Sequence, residues 1–567
     1  MQLVNVCERE QIYDILPSFQ LHDHLYHRRV VEKNETTNPP TYEENFLLAS
    51  PNQRANLRSS SPIEAPKLLD CIDTLQQVNK SIESVIKLKY PTKVYSPGEI
   101  ISGYVHLENN GNTIIPIEQI VVSLECDVGI FSHKYNKAIT KTIINMIDLE
   151  ASIVPPYQHL SETLLYPKAF MKQFFQFRIP KYLLDNCCER QLTEHMKVPP
   201  SFGCKHINIS GKKIDEVKDY AKLGDYVSYT IKAKFIGKAP PNYTNKVHKS
   251  DFVLLAGVFH DFKVGTHLTF SDHIPYGTTN EQLFNLEKYV RESIEELKEK
   301  KMLFDVGIKE EHEQIDIIYS SVGKHKCQTN CDLQVPKKSQ EVTTRVRKPL
   351  FGTVLGNIKA TADISEYVTI QSFFAYSHTS CPLTYPSVTL SLEFQLINQK
   401  DVKGIPSIIT IEPEITAVDI HANYKLPVEF DSSFISLGKE KIVSQFDKFK
   451  RLQAEVIKLS QEGLDIHPRL FKLLDSLTQF EYSETKLPNL FKRKTLNLVW
   501  NYDSSKKSLQ CNVRMPLEFN FKEIFNKKIT LVPGFQHCLF GRMYKLELHF
   551  TTKHGRLKPM ALPITVI

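Results

Sequence analysis

From about Ser84 onward, apolar and β-branched residues alternate with polar ones in short runs that end on turn residues. Ser84 to Tyr90 alternates, Pro97-Gly98 turns the chain, and Glu99 to Leu107 resumes the pattern before the Asn109-Asn110-Gly111-Asn112 turn. Ile114 to Cys126 is the next strand. The same rhythm recurs at Phe174 to Ile179, Asp225 to Phe235, Val253 to Val264, Phe351 to Thr369, Val388 to Leu396, Ile405 to Ile411 and Ala417 to Tyr424. It returns at Thr495 to Trp500, Met543 to Phe550 and Met560 to Ile567. So many short strands with few helices predict a mainly β protein built of antiparallel β-sandwiches, and the chain is long enough for two.

Two stretches follow a helical period instead. Between about Thr279 and Lys301, Leu283, Leu286, Val290, Ile294 and Leu297 recur every three or four residues, and Thr279 with Gln282 fits a capping box. Glu287 and Arg291 stand one turn apart on the polar side. Between about Glu440 and Glu481, Phe446, Phe449, Leu452, Val456 and Leu459 form one stripe, and Leu470, Phe471, Leu474 and Leu477 suggest a second helix folding back. Such stripes are expected to pack on their own sandwich, as amphipathic surface helices normally do.

Residues 1–82 break with both patterns. They are polar and carry Pro39, Pro40, Pro51, Pro62 and Pro66, which predicts a disordered arm with at most a short helix near Leu69, Ile72, Leu75 and Val78. The expected organisation is an arm over 1–82, a first sandwich over 83–275, a charged helical insertion and linker over 276–344, and a second sandwich over 345–567 with its own helical insertion near 440–481.

Composition narrows the classes. The 567 residues are 41% hydrophobic and 24% charged, which excludes wholesale disorder. A mean hydropathy of −0.28 without an uninterrupted run of about 18 apolar residues excludes a transmembrane helix. A net charge of +7, with both signs scattered, gives no sign of a nucleic-acid binder. Met1-Gln2-Leu3-Val4-Asn5-Val6 lacks a basic start and an apolar core, so a cytoplasmic chain is expected. The 11 cysteines are irregularly spaced and read as reduced thiols.

Three His/Cys groups invite a metal: His22, His24 and His27; Cys187, Cys188, Cys204 and His206; and His325, Cys327 and Cys331. None has paired C-x-x-C units at structural-zinc spacing, so no metal and no other cofactor is expected. No G-x-S-x-G, H-E-x-x-H, Walker loop or G-x-G-x-x-G is present, and no enzyme is expected.

One motif carries a partner. Pro39-Pro40-Thr41-Tyr42 is P-P-x-Y, in which two prolines pre-set the polyproline II conformation for an aromatic-lined WW groove and Tyr42 fills the adjoining pocket. With 31 Pro and 24 Tyr in 567 residues, chance supplies about 0.07 such matches. Val154-Pro155-Pro156-Tyr157 lacks the intervening residue and reads as a loop.

Three further segments carry a resemblance. Lys93-Val94-Tyr95-Ser96-Pro97-Gly98-Glu99, leading into Gly103-Tyr104-Val105, resembles the opening of an arrestin N-terminal domain. Val198-Pro199-Pro200-Ser201-Phe202-Gly203, followed by Tyr229-Thr230-Ile231-Lys232-Ala233, is similar to the P-P-S-F and Y-x-(I/L)-x-A segments of α-arrestins. Leu531-Val532-Pro533-Gly534-Phe535 and Gly541-Arg542-Met543-Tyr544-Lys545-Leu546 look like penultimate strands of the C-terminal domain. Within that group the layout is most similar to the yeast Bul family of ubiquitin-ligase adaptors. The sequence departs from the usual pattern in the lengthened approach over Cys187 to Lys197 and in Cys204 after Gly203.

The resemblance implies two arrestin-like antiparallel β-sandwich domains with helical insertions and a disordered N-terminal arm, and an adaptor without catalytic residues. It implies that Pro39, Pro40 and Tyr42 recruit a WW-domain HECT ubiquitin ligase to plasma-membrane or endosomal transporters. The cargo is then ubiquitinated, endocytosed and sorted to the vacuole. The chain is expected in the cytoplasm, recruited peripherally to plasma membrane, Golgi or endosomes. The alternative is an arrestin-fold sorting scaffold of retromer type, which has no need of P-P-x-Y. Arg345, Arg347 and Lys348, and separately Lys492, Arg493 and Lys494, are candidate basic patches for acidic tails or anionic head groups. Ser61, three residues after Arg58, is a candidate site for a basophilic kinase.

Overall fold

The computed structural model describes residues 75, 77, 81–132, 137–148, 151–152, 163–184, 188, 190, 192–205, 218–238, 252–265, 278–305, 339–347, 354–363, 368–373, 386–397, 405–487, 489–504 and 508–567. These form a mainly β protein of several antiparallel sheets with few helices. The contacts divide the chain into two compact units: 1–128 with 141–185 and 228–264, and 129–140 with 186–227 and 265–567. Among the described residues no helix is long and apolar enough to cross a membrane.

The first unit contains an antiparallel three-stranded sheet in the order Ile82–Leu88, Ile100–Asn109, Phe170–Arg178. Alternation decides its faces: Ile86, Ile101, Val105, Leu107, Phe175 and Phe177 are buried, whereas Phe170 and Phe174 are exposed. The second sheet of this unit runs Val94–Tyr95, Phe252–Val264, Tyr226–Lys238, Gln119–Ser132, Lys137–Ile147. Tyr95 and Tyr229 both set their rings against Phe262, at 5.8 and 5.9 Å.

Local chemistry explains both turns anticipated in this unit. Gly98 has φ +89°, a left-handed conformation that suits glycine, and Glu99 turns its carboxylate back to accept from the Ser96 N–H at 2.9 Å. At the next turn the buried Asn109 accepts from the Gly111 N–H and donates to the carbonyls of Thr113, Leu165 and Tyr166.

In the second unit a five-stranded sheet runs Ser339–Arg347, Val354–Asp363, Ser387–Leu396, Ser508–Pro516, Asn501–Asp503. An eight-stranded sheet is organised on Val368–Ile370, Met560–Val566, Phe540–Thr552, Ile408–Ala422, Phe480–Leu487. Ala360, Leu390, Leu392, Val513 and Met515 of the first pack with Ile409, Ile411, Leu546, Leu548, Phe550 and Leu562 of the second, the core of a sandwich.

Two expected strands, Ile405 to Ile411 and Ala417 to Tyr424, are one strand, Ile408–Ala422. Pro413 lies inside this strand although it lacks the N–H that a ladder normally uses. On one side it pairs with Leu548; on the other, Lys494–Asn497 pairs as far as Ile411 and Phe480–Leu487 begins opposite Ile415. The proline falls at the hand-over between two neighbours, where no ladder bond requires its nitrogen.

The helical stripes are buried. Leu283, Leu286, Val290 and Ile294 of the helix Thr279–Asp305 share a core with Ile442, Phe446, Phe449, Leu452, Val456 and Leu459 of Lys439–Gln461. Leu470, Leu473, Leu474 and Leu477 of Pro468–Thr478 join it, as do Val418, Ile420 and Ala422 of the sheet. Lys448 to Glu287 at 2.6 Å, Lys298 to Glu455 at 2.8 Å and Lys301 to Glu462 at 2.7 Å pair the first two helices along their length.

The capping box is one residue earlier than its expected position at Thr279 and Gln282. Thr278 donates its N–H to Glu281 and accepts from the Glu281 N–H. Thr279 and Gln282 are occupied elsewhere: Thr279 Oγ1 accepts from the Asp431 N–H, and both side chains donate to the Glu429 carbonyl.

Candidate functional site

Pro39, Pro40, Tyr42, Ser61 and Lys348 lie outside the described residues, as does Val154-Pro155-Pro156-Tyr157. The remaining basic candidates are placed. Arg345 and Arg347 are exposed on Ser339–Arg347, the edge strand of the five-stranded sheet, with Val346 between them turned inward. Lys492 and Arg493 are exposed, and Lys494 is half-buried at the start of Lys494–Asn497 on the eight-stranded sheet. The two clusters are therefore carried by different sheets.

Phe491 stacks on Phe519 at 5.0 Å and the Lys492 N–H donates to the Glu518 carbonyl, which brings Glu518 beside the lysines. Its carboxylate lies 2.5 Å from Lys494 Nζ and 3.6 Å from Lys492 Nζ. The hydrogen bond from Lys494, aided by the charge of both lysines, holds the Glu518 carboxyl below the usual range.

The second unit also contains a charge cluster that no solvent reaches. The register of Ile408–Ala422 against Phe540–Thr552 places Asp419 directly opposite Arg542. Arg542 Nε donates to Asp419 Oδ1 at 2.6 Å and Nη2 to Oδ2 at 2.7 Å, a bidentate pair in which both side chains are 0% exposed. Nη1 donates to the carbonyl of Asp219, at 2.6 Å, and Nη2 to that of Tyr220, at 3.1 Å. Tyr220 has φ 58°, a left-handed conformation rare for a bulky residue. Burial alone lowers the proton affinity of the Arg542 guanidinium, but the adjacent Asp419 carboxylate more than offsets this and raises it above its ordinary value.

The Pro-Pro-Ser-Phe segment closes the cluster. The Phe202 ring lies 4.1 Å from the Arg542 guanidinium carbon and also packs on Phe535 and Phe540. Asp219 accepts from the Gly203 N–H at 2.6 Å. Gly203 has φ +61°, and a Cβ there would lie 2.1 Å from the Asp225 carbonyl oxygen, so only glycine fits. Asp225 pairs with His421 at 2.8 Å, and His421 stacks on Phe540 at 5.0 Å. Phe202-Gly203 and Gly541-Arg542, read separately in the sequence, thus meet in one ionic core. Its partner Asp419 was missed. The available signal is a lone carboxylate inside the apolar run Ala417-Val418-Asp419-Ile420. Four hydrogen bonds commit Arg542 to Asp419 and to two backbone carbonyls, so the cluster ties three segments of the chain together.

Residues 69–157 and 156–255 match the family described as Bul1 N terminus. Three proteins of Saccharomyces cerevisiae (strain ATCC 204508 / S288c) are similar. Ubiquitin ligase-binding protein BUL2 is 29% identical over 189 residues, covering 26% of this chain and 20% of that protein. Ubiquitin ligase-binding protein BUL1 is 25% identical over 287 residues, covering 42% and 28%. Bypass of stop codon protein 5 is 26% identical over 189 residues, covering 25% and 38%. The chain thus matches between a fifth and two fifths of the length of these relatives. Residues 69–255 are thus similar to the Bul1 N-terminal family, and the chain is similar, at modest identity, to the yeast ubiquitin ligase-binding proteins BUL1 and BUL2.

Proposed function

We propose that this protein is an adaptor that brings a WW-domain HECT-type ubiquitin ligase to membrane transporters, promoting their ubiquitination, endocytosis and vacuolar sorting. The observation that carries the reading is Pro39-Pro40-Thr41-Tyr42 in a chain homologous to two ubiquitin ligase-binding proteins. The polyproline II pair enters an aromatic groove with little conformational entropy left to lose, and Tyr42 adds the aromatic anchor. No bond of the cargo is broken by the adaptor. Holding ligase and cargo lysines on one body raises their effective concentration, and that alone accelerates transfer.

Arg345, Arg347 and Lys348, with Lys492, Arg493 and Lys494, are the surfaces proposed to meet acidic transporter tails or anionic head groups. Ser61 beside Arg58 is proposed as a phosphorylation site. The protein acts in the cytoplasm and is recruited peripherally to plasma membrane, Golgi or endosomes.

The test is capture of the full chain by isolated WW domains. Tyr42→Ala lowers capture by about tenfold or more, the scale of a lost aromatic anchor. Equal capture of both forms rejects ligase recruitment through this motif and favours a sorting scaffold that works without it.

A further inference from the structure

The turn that leads into Phe540–Thr552 and the short helix Thr193–Met196 bring two sulfurs and an imidazole together, far from the basic clusters in the sequence. His195 Nδ1 lies 3.6 Å from Cys538 Sγ and 4.0 Å from Cys188 Sγ, and the three atoms all lie within 4.8 Å of one another. Cys188 is 2% exposed, His195 1% and Cys538 0%. Both cysteines are thiols. We propose that Cys188, His195 and Cys538 are three ligands of a tetrahedral zinc site, its fourth corner completed by a water, that fastens the segment around residue 195 to the turn at 537–539.

The separations suit one ion. Tetrahedral zinc with bonds of about 2.3 Å to sulfur and about 2.0 Å to nitrogen imposes N···S distances of about 3.5 Å and an S···S distance of about 3.8 Å. The two N···S spans, 3.6 and 4.0 Å, lie within about half an ångström of this, and the two sulfurs are within 4.8 Å of one another. Sulfur is a weak hydrogen-bond acceptor, so two thiols are poor partners for a fully buried imidazole nitrogen, whereas a cation satisfies all three groups at once.

Charge balance agrees. Zn²⁺ displaces the two thiol protons to solvent, and two thiolates with a neutral imidazole leave the site uncharged, as its burial demands. Soft sulfur with imidazole selects zinc over magnesium or calcium.

The surroundings hold this geometry. The Glu194 N–H, adjacent to His195, donates to Glu429 Oε1 at 2.7 Å, while Glu429 Oε2, in a residue 3% exposed, has no hydrogen-bond partner. The Leu426 N–H donates to the Cys538 carbonyl and the His537 N–H to the Phe540 carbonyl, fixing the backbone that presents Cys538. Cys511 contrasts with this pair: it packs within the apolar sandwich core among residues such as Leu392 and Val513, as a small hydrophobe does. The sequence concealed the site because 343 residues separate His195 from Cys538.

The experiment is metal analysis and thiol labelling of the full chain purified in zinc-supplemented buffer. About one zinc per chain is expected, and Co²⁺ in its place should show thiolate-to-cobalt charge-transfer absorption. Removal of zinc by a chelator should expose Cys188 and Cys538 to alkylation, located by peptide mass spectrometry, while Cys511 labelling stays unchanged. Cys188→Ser and Cys538→Ser should each weaken zinc binding by about tenfold or more. If these variants fail to fold, labelling of the wild-type chain decides. Substoichiometric zinc, chelator-independent labelling of both cysteines, or a Cys188–Cys538 disulfide in the peptide map would each overturn the proposal.

Discussion

Arg542 and Lys494 each meet a carboxylate across adjacent backbone, yet the two pairs do opposite work. Arg542–Asp419 is sealed at 0% exposure, with four hydrogen bonds from the guanidinium, whereas Lys494–Glu518 sits in reach of water with Arg493 exposed beside it. In the buried case neither charge can be released without leaving the other stranded in a low-dielectric interior. In the surface case water takes over as soon as the partners separate. The comparison teaches that charge in this protein divides by depth: buried charge fixes which segments meet, and surface charge remains free to meet something else.

The strongest way to break the contrast is Arg542→Ala. It strands Asp419 and should destabilise the second unit by about 3–5 kcal/mol, read as a lowered denaturant midpoint. The double variant Arg542→Met with Asp419→Leu should recover part of that loss, because neither residue then carries a charge. A double as unstable as Arg542→Ala would show that packing, and not the ion pair, holds the site.

Phe202→Leu keeps most of the volume but removes the aromatic face under Arg542, and should cost about 2 kcal/mol by the same measurement. Next comes Arg345→Glu with Arg347→Glu. Binding to vesicles containing anionic lipid should weaken by about 1 kcal/mol per basic group, with no change in the denaturant midpoint. Unchanged binding would remove this cluster from the proposed membrane or cargo surface.

The smallest effect concerns acid. Glu518 has a folded pKa below its unfolded value, so its contribution is present above the ordinary carboxylate range near pH 4.3 and is lost as pH falls through the depressed folded value. Its carboxyl resonance should titrate below that of a free Glu in wild type and move back toward it in Lys494→Met or at high salt. A midpoint that ignores both would show that the lysines do not act on it.

Much of this architecture was legible because period-2 alternation and turn residues report locally. Phe175 and Phe177 face inward and Phe170 and Phe174 outward as strand geometry requires, and the stripe from Phe446 to Leu459 marks a helix. Ser339–Arg347 was harder to see. It was expected to straddle a charged linker, because an edge strand needs few apolar residues, here Val342 and Val346. Phe480–Leu487 was similarly hidden behind its alternating Glu, Ser and Lys.

The sites divide along the same line. A linear peptide motif such as Pro39-Pro40-Thr41-Tyr42 is complete in the sequence, so it could be read there. Asp419 with Arg542, and Cys188 and His195 with Cys538, are complete only in three dimensions. In the sequence Asp419 is one carboxylate in an apolar strand, and Cys188 is grouped by spacing with Cys187, Cys204 and His206 rather than with His195 and Cys538.

The docking of the helix Thr279–Asp305 has a consequence for how the protein is made. Its start is tied to Glu429 and Asp431, about 150 residues later in the chain. At ribosomal speeds of about 5–20 residues per second, those anchors emerge roughly eight to thirty seconds after the start of the helix does. Throughout that interval Leu283, Leu286, Val290 and Ile294 have no core to enter, and the nascent chain presents them as a ready target for chaperones.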